Sequence, residues 1–316
     1  MKIDQFWNEM ISNFENIHFS EGEFILRLVN PDAPFKIFAG VDLNQKRLLA
    51  LETSIRTPDI LLETEAITYF RQQRVSGEWL LVLRLEKLEL IPVFGRLCQD
   101  LIDTAISIQT QTALVKFFIE RLHLWKKLFQ DGSNGLLEKH KIKGLLAELI
   151  ALDNLLDVRN EDRLTTLIAW TGPQRFDQDF VFSDMAIEVK AISSSTTKIG
   201  ISSIEQLESI HPLELWVYVL RDSNNEPESI NLISQFIKIE SKLASEHKAL
   251  KLFREKMLDA GYVEHDYYES CNFTIVDFIK FEVLENFPKL SRENIHAGVV
   301  NATYSISIDA LTDFRK

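Results

Sequence analysis

The sequence predicts an α+β (α/β) chain in which a β-rich N-terminal domain precedes an αβββαβ core and a C-terminal extension of helix and strand. Three observations carry this. Short runs rich in β-branched and aromatic residues, separated by Asn, Pro, Asp and Gly, fill the first ninety residues. Helical periodicity then dominates 94–130 and 141–170. From Asp179 to Leu220 short apolar strands return, with one polar, cappable stretch between them.

Asp4 to Phe14 spaces Phe6, Trp7, Met10, Ile11 and Phe14 as one apolar helical stripe. Strands are expected at 23–29, 35–38, 47–51, 66–71 and 79–88, largely antiparallel. His18 is a lone histidine beside apolar neighbours and suggests no ligand site. The loop Asp131-Gly-Ser-Asn-Gly135 stops the following helical stretch and is the expected domain boundary. The polar run from Asp222 to Pro227 is the second, giving domains 1–135, 136–222 and 223–316. Beyond it, Ile230 to Ala260 reads as helix broken near Ser245, and 273–283, 295–300 and 304–308 as strands.

Composition excludes several classes. With 46% hydrophobic and 26% charged residues the 316-residue chain is ordinary globular material. Its formal net charge of −12 argues against a general polyanion-binding surface, which needs clustered Lys and Arg. Two widely separated cysteines, Cys98 and Cys271, give no zinc pattern and suit a reducing, cytoplasmic setting. No run is apolar enough to predict a membrane span. Phosphate-loop, nucleophile-elbow and dinucleotide-binding motifs are absent from the sequence.

The stretch that reads as chemistry is Gly172 to Gln206. In an extended Ile187-Glu188-Val189-Lys190, Glu188 and Lys190 share one face while Ile187, Val189 and Ala191 share the other. Asp179 begins Asp-Phe-Val-Phe, a preceding strand, and Ser183-Asp184-Met185 would turn the chain back. A hairpin would bring Asp179 beside Glu188, so that two carboxylates and an ammonium converge. Paired carboxylates suit Mg²⁺, and a lysine beside the cation can orient a water or neutralise charge in phosphodiester hydrolysis. Taken alone, a Glu-x-Lys pair fits a solvated strand face better than a site. Strand context, a leading helix bearing Glu148 and a following cappable segment bearing Gln206 shift that balance.

Glu148 lies on the mostly apolar helix Lys141–Leu156 and needs a partner if covered. Either the metal site or Lys141 or Lys143 would serve. Asn160 or Asp162 caps the next helix, and Ser202-Ser203 ahead of Glu205-Gln206 fits a capping box opening another, closed by His211-Pro212. The hydroxyl-rich Ser193–Thr197 run suits a polar turn more than a phosphate site. Lys238, Lys242, Lys248, Lys251, Arg254 and Lys256 are interspersed with glutamates and read as a solvated, salt-bridged face.

The spacing Gly-Pro-x3-Asp-x-Asp-Phe-x7-Glu-Val-Lys followed by Ser-Ser-Ile-Glu-Gln-Leu resembles the PD-(D/E)xK nuclease superfamily. The whole chain is similar to its bacterial DUF4420 members, which accompany restriction and phage-defence genes. The resemblance implies a restriction-endonuclease-like fold and a Mg²⁺-dependent DNA endonuclease, with Mn²⁺ as substitute. Its site would be Asp179 and Glu188 as metal ligands, joined by Glu148, with Lys190 as the catalytic lysine and Gln206 as auxiliary. Asp177 competes with Asp179 for the first position, because Pro173 is not adjacent to either acid. The implied partners are double-stranded DNA and proteins encoded nearby. A non-catalytic DNA- or protein-binding subunit of a multi-gene defence complex is the alternative, and an RNA or branched-DNA nuclease a third.

Overall fold

A computed structural model describes residues 2–14, 24–29, 31, 34–56, 64–130, 136–159, 161–223 and 226–316. His18, Asn160 and the Asp131–Gly135 loop, all singled out in the sequence, lie outside these. The chain divides into two compact units, Met1–Leu136 and Leu137–Lys316. No helix among the described residues is long and apolar enough to cross a membrane.

The first unit is built on an antiparallel sheet of β1 (Phe24–Leu28), β2 (Ile37–Asp42), β3 (Arg47–Thr53), β4 (Ile67–Gln73) and β5 (Trp79–Leu85) in the order β1-β2-β3-β5-β4. Helix α1 (Ile3–Ser12) buries Ile3 together with Phe6, Trp7 and Met10 of the expected stripe, while Ile11 and Phe14 are only half-buried. The Trp7 indole N–H donates to the Leu48 carbonyl at 2.9 Å, and its ring stacks on Phe94 at 5.5 Å. The expected single helical stretch is two helices, α2 (Ile91–Ala105) and α3 (Gln111–Gln130). The Thr110 hydroxyl accepts the Ala113 N–H and so restarts the helix after the break.

The second unit holds a mixed sheet. Strands β6 (Phe180–Val181), β7 (Ala186–Ser193), β9 (Leu213–Asp222) and β10 (Phe273–Glu282) pair in the order β10-β9-β7-β6. β7 and β9 run parallel; the other two pairings are antiparallel. Helix α4 (Lys139–Val158) packs on β7, and α5 (Arg163–Ala169) is capped by Asp162, whose carboxylate accepts the Thr165 N–H at 2.7 Å. Helices α6 (Leu232–Leu243) and α7 (His247–Asp259) break where Ser245 predicts. Residue Asp153 of α4 takes Lys238 and Lys242 of α6 at 2.7 and 2.6 Å. The architecture is mixed α+β, as expected.

Three expectations need correction. The third strand, β8 (Lys198–Ile201), leaves the main sheet and pairs instead with β11 (Tyr304–Ser307). Its Ile199 and Ile201 enter a cluster with Ala186, Leu215 and Ile306, so apolar burial rather than a fourth ladder fixes it. The capped helix after Ser202 is reduced to one 3₁₀ turn, Glu205–Leu207. Buried Gln178 donates its amide to the Glu205 and Glu208 carbonyls at 2.7 and 2.8 Å, acceptors a longer helix would need. Residues 295–300 form no strand: Arg292 takes the Val299 and Val300 carbonyls at 3.0 and 2.9 Å.

Candidate active site

The β6–β7 hairpin sets the first two acids. Its register pairs Phe180 with Ile187 and Val181 with Ala186, which leaves Asp179 opposite Glu188. The turn closes through Phe182 N–H to the Met185 carbonyl at 2.8 Å, and Arg159, paired with Asp184 at 2.8 Å, covers the Phe182 ring. On its other side Asp179 is tied by backbone: the Thr171 and Gly172 N–H groups donate to its carbonyl at 2.8 and 3.0 Å. Its carboxylate Oδ2 accepts the Val189 N–H at 2.8 Å, a bond that fixes the side chain toward β7.

Glu188 is 1% exposed, so the strand face expected to be polar is closed rather than solvated. It shares that face with Ala186 and Ile192 of the apolar cluster. The Lys190 ammonium stands 2.6 Å from Glu188 Oε1. Both Glu188 oxygens are buried, and the Lys190 ammonium and the Asp179 backbone compensate part of their charge. Lys190 donates to Gln206 Oε1 at 3.0 Å, and the same oxygen accepts the Ser202 N–H at 2.9 Å. Gln206 therefore reaches the site from a short turn instead of a helix.

Glu148 comes from α4. It does not pair with Lys141 or Lys143; Lys143 pairs with Asp222 at 3.1 Å. Its Oε2 instead accepts the Trp170 indole N–H at 2.9 Å. Gly172 makes room for the two acids it separates. A Cβ there would lie 2.4 Å from Glu148 Oε2 and 2.9 Å from Asp179 Oδ1, closer than carbon tolerates.

Electrostatics couples the three carboxylates. Burial holds Glu148 well above the usual carboxylate range, and the Asp179 charge adds to it. Glu188 is held well above that range by the same two causes in the same order. Asp179 is pushed up to about 6 by burial, against the pull of Lys190 and the Val189 amide. An enclosure that disfavours three negative charges takes up protons or a cation. Among the described residues no three His, Cys, Asp or Glu side chains already stand at metal-cage spacing. Mg²⁺ does not ask for a cage: it keeps several waters and takes one or two carboxylates.

The structure thus brings Asp179, Glu188, Lys190, Gln206 and Glu148 to one place. It leaves Asp177 exposed on the preceding loop, without a bond to the cluster. Four supporting residues escape sequence inspection. Trp170 and Gly172 fall at the end of an expected helix, and Gln178 carries no distinguishing pattern. Lys256 falls in a run of surface lysines but is 2% exposed, and burial pulls its ammonium down to about 8. It donates to the Trp170 carbonyl and, at 3.0 Å, to Gln174 Oε1. Only a buried-face position on α7, shared with Ala249, Phe253 and Met257, could have signalled it.

No curated protein matches the chain, and no solved structure does. A family model described as "Putative PD-(D/E)XK family member, (DUF4420)" matches residues 3–309, and the chain belongs to that family.

Proposed function

We propose that this protein is a divalent-metal-dependent DNA endonuclease, hydrolysing phosphodiester bonds in a bacterial restriction or phage-defence system. The observation that carries the reading is the enclosure of Asp179, Glu188 and Glu148 with one ammonium, Lys190. The donor set suits Mg²⁺ or Mn²⁺. All three groups offer hard oxygens, and both Glu188 oxygens are buried. Asp179 and Glu188, joined by Glu148, would hold the ion. When bound, it would acidify a water and neutralise charge on the scissile phosphate.

The chain's own groups do the rest. The Val189 amide holds the Asp179 carboxylate in one orientation. The Trp170 indole does the same for Glu148. Gln206, itself fixed by the Ser202 amide, accepts from the Lys190 ammonium and keeps it at the edge of the acid cluster. From there Lys190 can orient the attacking water or neutralise the charge that develops on phosphate oxygens. Positioning of this kind does most of the work in phosphoryl chemistry.

Purified protein with Mg²⁺ or Mn²⁺ should nick or cut duplex DNA, and Asp179→Ala and Lys190→Ala should each abolish cutting. Cleavage that survives both substitutions removes the assignment. A second reading, a non-catalytic subunit binding DNA or protein within a defence complex, is favoured by the net charge of −12. No heat of metal binding in calorimetry, together with co-purification of neighbour-encoded proteins, would select it.

A further inference from the structure

The loop between Gly172 and Asp179 is held at both ends by buried polar side chains. Ahead of it, Lys256, 2% exposed, donates to the Trp170 carbonyl and to the Gln174 side chain. Behind it, Gln178, 8% exposed, donates to the Glu205 and Glu208 carbonyls. Burying an ammonium and an amide is expensive unless each is bonded, and both are committed here to one short loop. Between the clamps Pro173 is buried, while Arg175 closes the turn by donating its N–H to the Gly172 carbonyl at 2.9 Å. Arg175 does so in the left-handed region, at φ 62°, where a side chain other than glycine is strained. The residue presented next is Phe176, 66% exposed.

The turn thus holds an aromatic ring in water three residues from Asp179. The loop that Gln178 laces to it carries a second such side chain, Ile210, 96% exposed. Scattered surface apolars are ordinary, but these two flank site residues Asp179 and Gln206 on loops bonded to one another. The net charge of −12 adds a constraint, because counterion release from a long duplex cannot supply much of the binding. Stacking on a base face depends little on charge. An unstacked base is also available to it only where strands are not paired.

Resting on the nuclease reading above, we propose that Phe176 is a stacking platform for an unpaired base next to the scissile phosphate, with Arg175 on the adjoining phosphate and Ile210 as a second apolar contact. The preferred substrate is accordingly DNA with a single-stranded segment, such as a gap, flap or junction, rather than continuous duplex.

The test measures binding by fluorescence anisotropy, in Ca²⁺ to withhold cleavage, for one sequence as continuous duplex and with an unpaired segment. Wild-type protein should bind the second form at least about ten-fold more tightly. Phe176→Ala should lose about ten- to hundred-fold for that form, Phe176→Trp should retain affinity, and Ile210→Ala should lose less. Phe176→Ala should leave the salt dependence unchanged, whereas Arg175→Ala should reduce its slope by about 0.7. With Mg²⁺, single-turnover cleavage by wild-type protein follows the nuclease reading separately from binding. Equal affinity of Phe176→Ala and wild type, or preference for continuous duplex, overturns the platform while cleavage leaves the nuclease reading intact. Phe176-dependent binding without any cleavage overturns the nuclease and keeps the platform; absence of both binding and cleavage overturns both.

Discussion

Asp179→Asn should make the metal-free protein more stable, not less. Folding raises this carboxyl from 3.8 to about 6, mainly through burial. The folded state therefore binds more protons than the unfolded state between those two values. Stability contributed by the neutral form is present below 3.8 and lost as pH climbs through 6. Two pH units at about 1.4 kcal/mol each give a penalty of about 3 kcal/mol at pH 8. Asparagine carries no charge and escapes it, while its carbonyl oxygen can still accept the Val189 N–H. For a unit the size of Leu137–Lys316, each kcal/mol shifts the melting temperature by about 2–4 °C, so a gain of about 6–12 °C is expected. The assay is thermal and urea unfolding with a chelator present, at pH 8 and pH 5. At pH 5 the gain should fall to about half, because the wild-type folded state is then mostly protonated at this position. Adding Mg²⁺ should raise wild type toward the variant, since a ligand bound only by the folded state stabilises it. A variant no more stable than wild type at pH 8, or a gain that does not shrink at pH 5, would refute the buried-charge account.

Other consequences are accessible to the same preparations. Gly172→Ala should cut activity about a hundred-fold with native circular dichroism, because its Cβ displaces Glu148 and Asp179; wild-type rates would show that the two acids tolerate separation. Trp170→Phe removes the donor to Glu148 and should destabilise by about 1–3 kcal/mol in urea melts at pH 8; no change would mean that water replaces it. Mn²⁺ binding followed calorimetrically in buffers of different ionisation enthalpy should release protons at pH 6 and fewer at pH 8, as the Asp179 shift to about 6 requires. Proton release that does not vary with pH would place the ion elsewhere.

The hairpin was legible because period-two alternation and a turn signal are local properties of the chain. Asp179, Glu188 and Lys190 follow from it directly; the register sets Asp179 opposite Glu188, and Lys190 stands 2.6 Å from Glu188. Asp179 was separable from Asp177 only by its place before Phe180-Val181-Phe182. The turn around Gln206 is not legible, for the opposite reason. Ser203-Ile-Glu-Gln reads locally as a helix start, yet Gln178, some thirty residues earlier, takes the carbonyls the helix would use. The same non-local effect hides Lys256, whose carbonyl and amide partners lie more than eighty residues upstream. Strand β8 had the right periodicity, but its partner β11 comes about a hundred residues later, and pairing across that distance leaves no mark in either segment alone. Gly172 is the subtlest of these. Ending a helix and letting two carboxylates approach ask for the same residue, and sequence cannot separate the two demands.

The ion pair between Lys190 and Glu188 ties stability to the site's chemistry. A carboxylate at 1% exposure without a partner would be costly to bury, and Lys190 at 2.6 Å supplies the nearest positive charge. On the metal-dependent reading, Asp179 and Glu188 would hold the cation, and Lys190, no longer the nearest positive charge to Glu188, could face phosphate or water. Gln206 makes the change inexpensive, since its bond to Lys190 at 3.0 Å lies outside the acid cluster and can persist while the Glu188 contact opens. Among the described residues the acids form no ready-made metal cage, and Lys190, 2.6 Å from Glu188, supplies the compensating charge.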